Sequence, residues 1–284
     1  MMIIYFNGRL CPLTEAHVSP LDRGFLFGDG IYEMVRCYGG RWFRLADHAA
    51  RLARGLAEIG LEGFDAAWLE GVGNDLLAAN RVMQSDALLY LQVTRGADVV
   101  RSHVYPMPPL KPTVFGMVRT LDAGGPGPPA SVVVLEDRRW TRCHVKSIAL
   151  LGHVLAANEA RANGADEAVL HRDGIVTEGS STNVAAVIDG EVVTHPESPF
   201  ILSGISRKVT LEICRELGIR FNERPFSLEE LKRAPEVFLM GTTHEVLPVA
   251  SIDGVALDLP VDRGVTGQLM RRFSELTRSA DCLE

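Results

Sequence analysis

The chain has 284 residues, with 29 Lys+Arg against 36 Asp+Glu and a formal net charge of −7. At 46% hydrophobic and 23% charged residues it can bury a substantial core, and a negative balance without Lys/Arg blocks speaks against nucleic acid or an anionic membrane as partner. No run approaches the ~18 apolar residues of a membrane span, and Met1 to Gly8 lack a basic region and a cleavage site, so no secretion signal is expected.

The N-terminal part reads as strands. Ile3-Ile4-Tyr5-Phe6, then Asn7-Gly8, then Arg9-Leu10 is a hairpin pattern. Ile31 to Tyr38 is a second strand, turned by Gly39-Gly40 into Arg41-Trp42-Phe43. A helix follows, with Asp47 expected as N-cap, Leu52, Leu56 and Ile59 on one face and Gly60 as its stop. Asp65 is expected to start a second helix through Leu76 and Leu77, and Leu88 to Thr94 and Thr113 to Val118 read as strands. Gly and Pro crowd residues 121–130, which reads either as an interdomain linker or as a long surface loop within one domain. With the linker reading, the domains are 1–120 and 131–284.

The second half opens on the strand Val132 to Leu135 and a helix from about Ala149 to Ala162. Short strands follow, joined at Asp173-Gly174 and Asp189-Gly190. Ser203-Gly204 introduces an amphipathic helix ending near Gly218, and Ser227-Leu228-Glu229-Glu230 is a capping box. Strands surround Val237 and Val246, and a last helix follows Gly264. This mixture, rich in hairpins, predicts α+β rather than a doubly wound parallel sheet.

Most familiar chemical motifs are absent. There is no complete dinucleotide fingerprint, no phosphate loop, no His-Glu-x-x-His and no Gly-x-Ser-x-Gly, and the eight His lack ligand spacing, so no metal is expected. Cys11, Cys37, Cys143, Cys214 and Cys282 form no close pair, which fits a reducing cytoplasm better than a disulfide framework. Lysine is the informative residue. Of Lys111, Lys146, Lys208 and Lys232, only Lys146 sits between a strand and an apolar helix. A partly buried amine there has a lowered pKa and can act as a nucleophile; the alternative is a stem on the core edge with its head in water. Glu178, flanked by apolar strand residues, needs a partner, either a structural Arg or a protonated ring nitrogen. Leu202-Ser203-Gly204-Ile205-Ser206 opens a helix whose free N–H groups suit an anion or take an ordinary cap. Gly241-Thr242-Thr243 is a second hydroxyl-rich turn, and Arg51 is either a fork of donors or a surface charge.

The segments Asp22 to Glu33, Gln92 to Gly96, Arg139-Trp140, Lys146-Ser147, Thr177 to Val184, Thr194 to Pro196 and Ile201 to Arg207 stand in an order that spans nearly the whole chain. In them the chain resembles the fold-type IV pyridoxal-phosphate aminotransferases, and among these the bacterial D-amino acid (D-alanine) aminotransferases. The resemblance implies two α/β domains with the cofactor site between them. It implies that Lys146 holds pyridoxal 5'-phosphate as a Schiff base and that Glu178 pairs with the pyridine nitrogen. By the same resemblance Leu202 packs on the ring, Ser181 lies close to it, and Arg139 orients groups around Lys146. Arg51, Ile205, Ser206 and Thr242 would hold the phosphate. Arg101 and His103, with Tyr32, match the residues that bind the substrate α-carboxylate in the D-amino acid enzymes, where the loop comes from a partner subunit, so a homodimer is implied. The implied reaction is ping-pong exchange of the amino group between D-amino acids and 2-oxo acids such as 2-oxoglutarate. Branched-chain and (R)-amine transaminases and aminodeoxychorismate lyases are the alternatives within the fold. The chain departs from the family pattern at Ala97 to Val100, which is one residue longer, at Gly241, where Ser is frequent, and at His144, where an acid is common.

Overall fold

The computed structural model describes residues 1–61, 69–121, 127–257 and 264–278. Two compact units result, one from Met1–Ala123 with Val145–Leu150, the other from Gly124–His144 with Leu151–Ser279. Asp65, residues 122–126 of the Gly/Pro-rich linker segment and Cys282 lie outside the described residues.

The first unit contains β1 (Ile3–Phe6), β2 (Arg9–Pro12), α1 (Arg23–Phe27), β3 (Gly30–Tyr38), β4 (Arg41–Trp42), α2 (Leu45–Glu58), α3 (Leu69–Ala79), β5 (Ala87–Thr94) and β6 (Thr113–Thr120). The strands form one sheet in the order β2-β1-β6-β5-β3-β4, antiparallel throughout. The Asn7-Gly8 hairpin is as expected, with φ of 48° and 94°, values that Asn and Gly adopt most readily. The core lies between one sheet face and the helices, built from Ile31, Val35, Leu52, Leu56, Leu76, Leu77 and Leu89. Asp47 is not the cap of α2. Arg44, at φ 54°, takes that place, and Asp47 sits in the first turn, where its charge complements the helix dipole and its carboxylate accepts from Arg44 Nε at 2.5 Å.

The segment 145–150 belongs to this unit and is stitched to β3. The Tyr32 N–H donates to the Lys146 carbonyl and the Ile148 N–H to the Gly30 carbonyl, each at 3.0 Å. Only small residues admit this approach: a Cβ on Gly30 would lie 2.6 Å from the Val93 carbonyl oxygen and 2.9 Å from Ile148 Cδ1.

The second unit contains β7 (Ala130–Glu136), α4 (Leu151–Ala162), β8 (Glu167–Arg172), β9 (Ile175–Gly179), β10 (Asn183–Ile188), β11 (Glu191–Thr194), α5 (Ile205–Leu217), β12 (Phe221–Glu223), α6 (Leu228–Arg233), β13 (Glu236–Gly241), β14 (Glu245–Ile252), β15 (Val255–Ala256) and α7 (Val265–Arg278). Its sheet runs β12-β11-β10-β13-β14-β7-β8-β9, with β15 paired to β14. Parallel pairs (β7 with β8 and β14, β11 with β12) interrupt an otherwise antiparallel arrangement. Val169, Val176, Val184, Phe226, Val237, Leu239 and Val249 fill its core. The Ser227 capping box forms as expected, whereas α5 is preceded by Gly204 rather than capped by Ser203.

Gly30→Ala is expected to cost about 1–3 kcal/mol in urea unfolding, because the methyl group meets backbone on one side. Gly71→Ala on α3, where a Cβ meets nothing within 4 Å, is expected to stabilise by about 0.5–1 kcal/mol. Equal effects of the two substitutions would contradict the tight passage at Gly30.

Candidate active site

Alternation along β3 sorts its side chains. Ile31, Glu33 and Val35 face α2, and Tyr32 and Met34 take the other side. Glu33 is therefore a fully buried carboxylate in an apolar row. Arg51, on α2, answers it with Nε at 2.9 Å and Nη2 at 2.7 Å, and His48 Nδ1 lies 3.1 Å away. These partners outweigh burial and hold the Glu33 carboxyl well below the carboxylate range. Burial, opposed by Glu33 and reinforced by Arg51 and Lys146, keeps His48 neutral more readily than usual. Arg51 is thus a buried fork, not a surface charge.

On the opposite face the Lys146 Nζ stands 4.3 Å over the centroid of the Tyr32 ring. Tyr32 in turn packs on Tyr90 at 5.7 Å, and Tyr90 on Phe115 at 6.3 Å. Lys146 is half-buried, its amine held over an aromatic floor.

In the second unit Glu178 is 4% exposed. Arg139 Nη1 donates to its Oε1 at 2.5 Å, and the Leu202 N–H (2.9 Å) and Asn183 Nδ2 (3.1 Å) donate to Oε2. Arg139 also grips Asp137 with Nε at 2.8 Å and Nη2 at 2.9 Å, and Arg172 Nε reaches the same carboxylate at 3.0 Å. Asp137 draws most of this positive charge and its pKa sits low, at about 2. Glu178 has only a share of Arg139, and burial pushes its pKa up to about 7. It is a buried carboxylate short of positive charge.

Asn183 ties this carboxylate to the start of α5. Its Nδ2 also donates to the Leu202 carbonyl at 2.9 Å, and a Cβ on Gly204 would come within 2.0 Å of its Oδ1. Gly204 supplies no side-chain cap, so the first N–H groups of α5, at Ile205 and Ser206, begin a helix without one. Antiparallel pairing of β10 with β13 sets Asn183 opposite Met240 and brings the Gly241-Thr242 turn beside Thr182: a Cβ on Gly241 would lie 3.4 Å from Thr182 Cγ2. Ser181 is exposed, and its hydroxyl donates to the buried Glu167 at 2.8 Å. Glu178, Leu202, Ile205, Ser206, Ser181 and Thr242 thus lie along one connected stretch of the second unit, with Arg139 behind Glu178.

Arg101 and His103 are exposed, and both stack on Phe27, at 5.0 Å and 5.2 Å, rather than on Tyr32. Sequence reasoning passed over Glu33, His48, Asn183 and Glu167 as site residues. The signal for Glu33 was available, an ionisable group on the apolar side of a strict alternation. Asn183 and Glu167 act through contacts far apart in the chain and carry no local signal. Among the described residues no group of three or more His, Cys, Asp and Glu could hold a metal, and no helix is long and apolar enough to cross a membrane.

Glu178→Gln tests the electrostatics. A carboxyl whose folded pKa is about 7 against an ordinary 4.5 contributes fully below the lower value, and its contribution is lost as pH rises through the higher one. In cofactor-free protein the Tm difference, variant minus parent, is expected to rise from about pH 5 to about pH 8, equivalent to at most about 3 kcal/mol. A difference that does not change with pH would contradict this.

Residues 30–252 match the family model described as amino-transferase class IV. The chain is 39% identical over 282 residues to the D-alanine aminotransferase of Staphylococcus epidermidis, covering 98% of this chain and 99% of that one. Among solved structures it resembles the branched-chain aminotransferase of Thermoproteus uzoniensis with norvaline (TM-score 0.87, 29% identity, 97% and 94% of the chains). It also resembles the T.th. branched-chain amino acid aminotransferase with pyridoxamine 5'-phosphate (TM-score 0.87, 26% identity, 99% and 96%). With most of its length matched by the family model and a near-complete relative well above 30% identity, the chain belongs to the class IV aminotransferases.

Proposed function

We propose that this chain is a pyridoxal 5'-phosphate-dependent transaminase that exchanges the amino group between D-amino acids of the D-alanine type and 2-oxo acids such as 2-oxoglutarate, by ping-pong kinetics. The Lys146 amine poised 4.3 Å over Tyr32 carries the chemical part of the reading, and the near-full-length likeness to a D-alanine aminotransferase supports the substrate class. The residues fit the cofactor. Glu178 is a buried carboxylate in want of a cation, which suits a protonated ring nitrogen. The uncapped start of α5 suits a phosphate.

When bound, pyridoxal phosphate supplies an electron sink for the pair left behind when the substrate Cα loses its proton. Lys146 Nζ would carry the cofactor at rest, and, once displaced by the substrate amine, would take that proton and return it on the far side of the exchange. Glu178 would hold the proton on the ring nitrogen, with Arg139 and Asn183 fixing the carboxylate from behind. Leu202 would pack on the ring, and Ser181 would sit near it. The N–H groups of Ile205 and Ser206, the Thr242 hydroxyl and the Arg51 guanidinium would bind the phosphate. Tyr32, Arg101 and His103 would bind the substrate carboxylate, the last two from a partner copy.

A homodimer accounts for exposed apolar side chains. On α4, Leu151 (71%), Val154 (51%) and Leu155 (61%) form a stripe at helical spacing. Around the Arg101 loop, Val99, Val104 and Met107 are all more than three-quarters exposed. The free thiols of Cys11, Cys37, Cys143 and Cys214 are in keeping with a cytoplasmic enzyme.

Borohydride treatment of the protein with pyridoxal phosphate is expected to fix the cofactor on the peptide containing Lys146, and Lys146→Ala is expected to abolish turnover; appreciable exchange by that variant ends the assignment. D-alanine should be consumed and L-leucine should not. The opposite profile would make the chain a branched-chain enzyme. Arg101→Ala should chiefly raise KM for D-alanine, since it removes binding made in ground and transition states alike. An equimolar mixture of Lys146→Ala and Arg101→Ala chains that exchange subunits should restore low-KM activity, to about a quarter of the parental level, because half of the dimers are hybrids and one site of each hybrid is intact when the loop is donated in trans. No restoration would place the loop in its own subunit's site.

A further inference from the structure

Residues 99–112, between β5 and β6, carry Arg101 and His103 and form no helix or strand. Such a loop needs donors for its carbonyls. One buried side chain provides them. Arg23, 3% exposed at the start of α1, directs Nη1 at the carbonyls of Ser102 (2.5 Å) and Val104 (3.5 Å) and Nη2 at that of His103 (3.4 Å). Its Nε is committed elsewhere, to Asp29 Oδ2 at 2.8 Å. Asp29 also binds Arg95, through Nε at 2.8 Å and Nη2 at 3.0 Å. Arg95 is itself tied to the Ile59 carbonyl at 2.7 Å, and Tyr105 lies on its guanidinium at 3.6 Å from the ring centroid.

The side chains are ordered from the same place. The Phe27 ring has Arg23 at 4.9 Å, Arg101 at 5.0 Å and the His103 ring at 5.2 Å. Main chain and side chains of the loop therefore converge on Arg23, which Asp29 holds in one orientation. A planar fork can hold Asp29 through Nε and the loop carbonyls through its two Nη groups at once, whereas the donors of a lysine sit on a single nitrogen and cannot span both.

We propose that Arg23, oriented by Asp29, is the positioning residue for substrate recognition. It fixes the carbonyls of residues 102–104, and through them sets the direction in which Arg101 and His103 present their donors to a carboxylate. Arg23 itself touches neither substrate nor cofactor. The inference rests on the reading that Arg101 and His103 bind the substrate carboxylate.

The test uses the cofactor-loaded enzyme carrying Arg23→Lys, which keeps the charge and loses the fork. KM for D-alanine is expected to rise about tenfold with kcat changed far less, the pattern of lost uniform binding. Amide hydrogen exchange of the peptide spanning 99–106 should accelerate, with the rest of the first unit unchanged. In an Arg101→Ala background the same substitution should raise KM far less, because only the part of its effect that passes through His103 remains. Where Arg23→Lys fails to fold, Tyr105→Ala, which removes a half-exposed ring from Arg95 and leaves the Arg23–Asp29 pair in place, loosens the same loop and should raise KM in the same direction. Unchanged loop exchange in Arg23→Lys, or a KM effect that persists in full without Arg101, overturns the proposal. Arg101→Ala with an unchanged KM instead overturns the carboxylate reading beneath it, whatever the exchange data show.

Discussion

Two backbone hydrogen bonds carry much of the arrangement: Tyr32 N–H to the Lys146 carbonyl and Ile148 N–H to the Gly30 carbonyl. They attach a six-residue segment, Val145–Leu150, to a sheet whose other strands come from the first part of the chain. The attachment places the Lys146 side chain on the face of β3 that carries Tyr32, while the buried Glu33 and its partners occupy the other face. A strand has a period of two, so a slip of one residue in this pairing would exchange the faces and part the amine from its aromatic floor. The absence of side chains at Gly28 and Gly30 permits the close approach; a Cβ on Gly28 would meet Ala149 Cβ at 2.9 Å.

Buried charge follows a consistent pattern. Glu33 is answered by Arg51 and His48, Asp29 by Arg23 and Arg95, and Asp137 by Arg139 and Arg172. Glu167 is satisfied by the hydroxyls and amides of Ser180 and Ser181. Glu178 stands apart because the cation it holds among the described residues, Arg139, is shared with a stronger claimant. An incompletely neutralised carboxylate costs stability in isolation and gains value when a cationic group arrives beside it. In the proposed reading the same imbalance suits Glu178 to a protonated ring nitrogen.

Local structure was readable wherever it depends on local chemistry. The Asn7-Gly8, Asp173-Gly174 and Asp189-Gly190 turns need positive φ, and those residue pairs adopt it. The Ser227 box is complete within four residues. Asp47 misled because an acid in the first turn and an acid at the cap look alike in sequence, and only the φ of Arg44 separates them. Lys146 and Glu178 stood out because each is a charge among apolar neighbours. What they face was not readable. The partners of Arg51 and Glu178 depend on strand register and helix placement, and the anchoring of the Arg101 loop joins residues nearly eighty positions apart.

The bare start of α5 has a thermodynamic consequence. A helix opening on glycine with no side-chain acceptor forgoes about a few tenths of a kcal/mol that Ser or Asp would return. That deficit becomes affinity, since any anion seated there recovers it along with its own attraction to the dipole. With an anion bound there, folding and occupancy of the second unit would be linked by mass action, and stability would rise with the anion's concentration. If the proposed phosphate site is at this helix end, a phosphate buffer would compete there with the cofactor and at the same time protect the protein that lacks it.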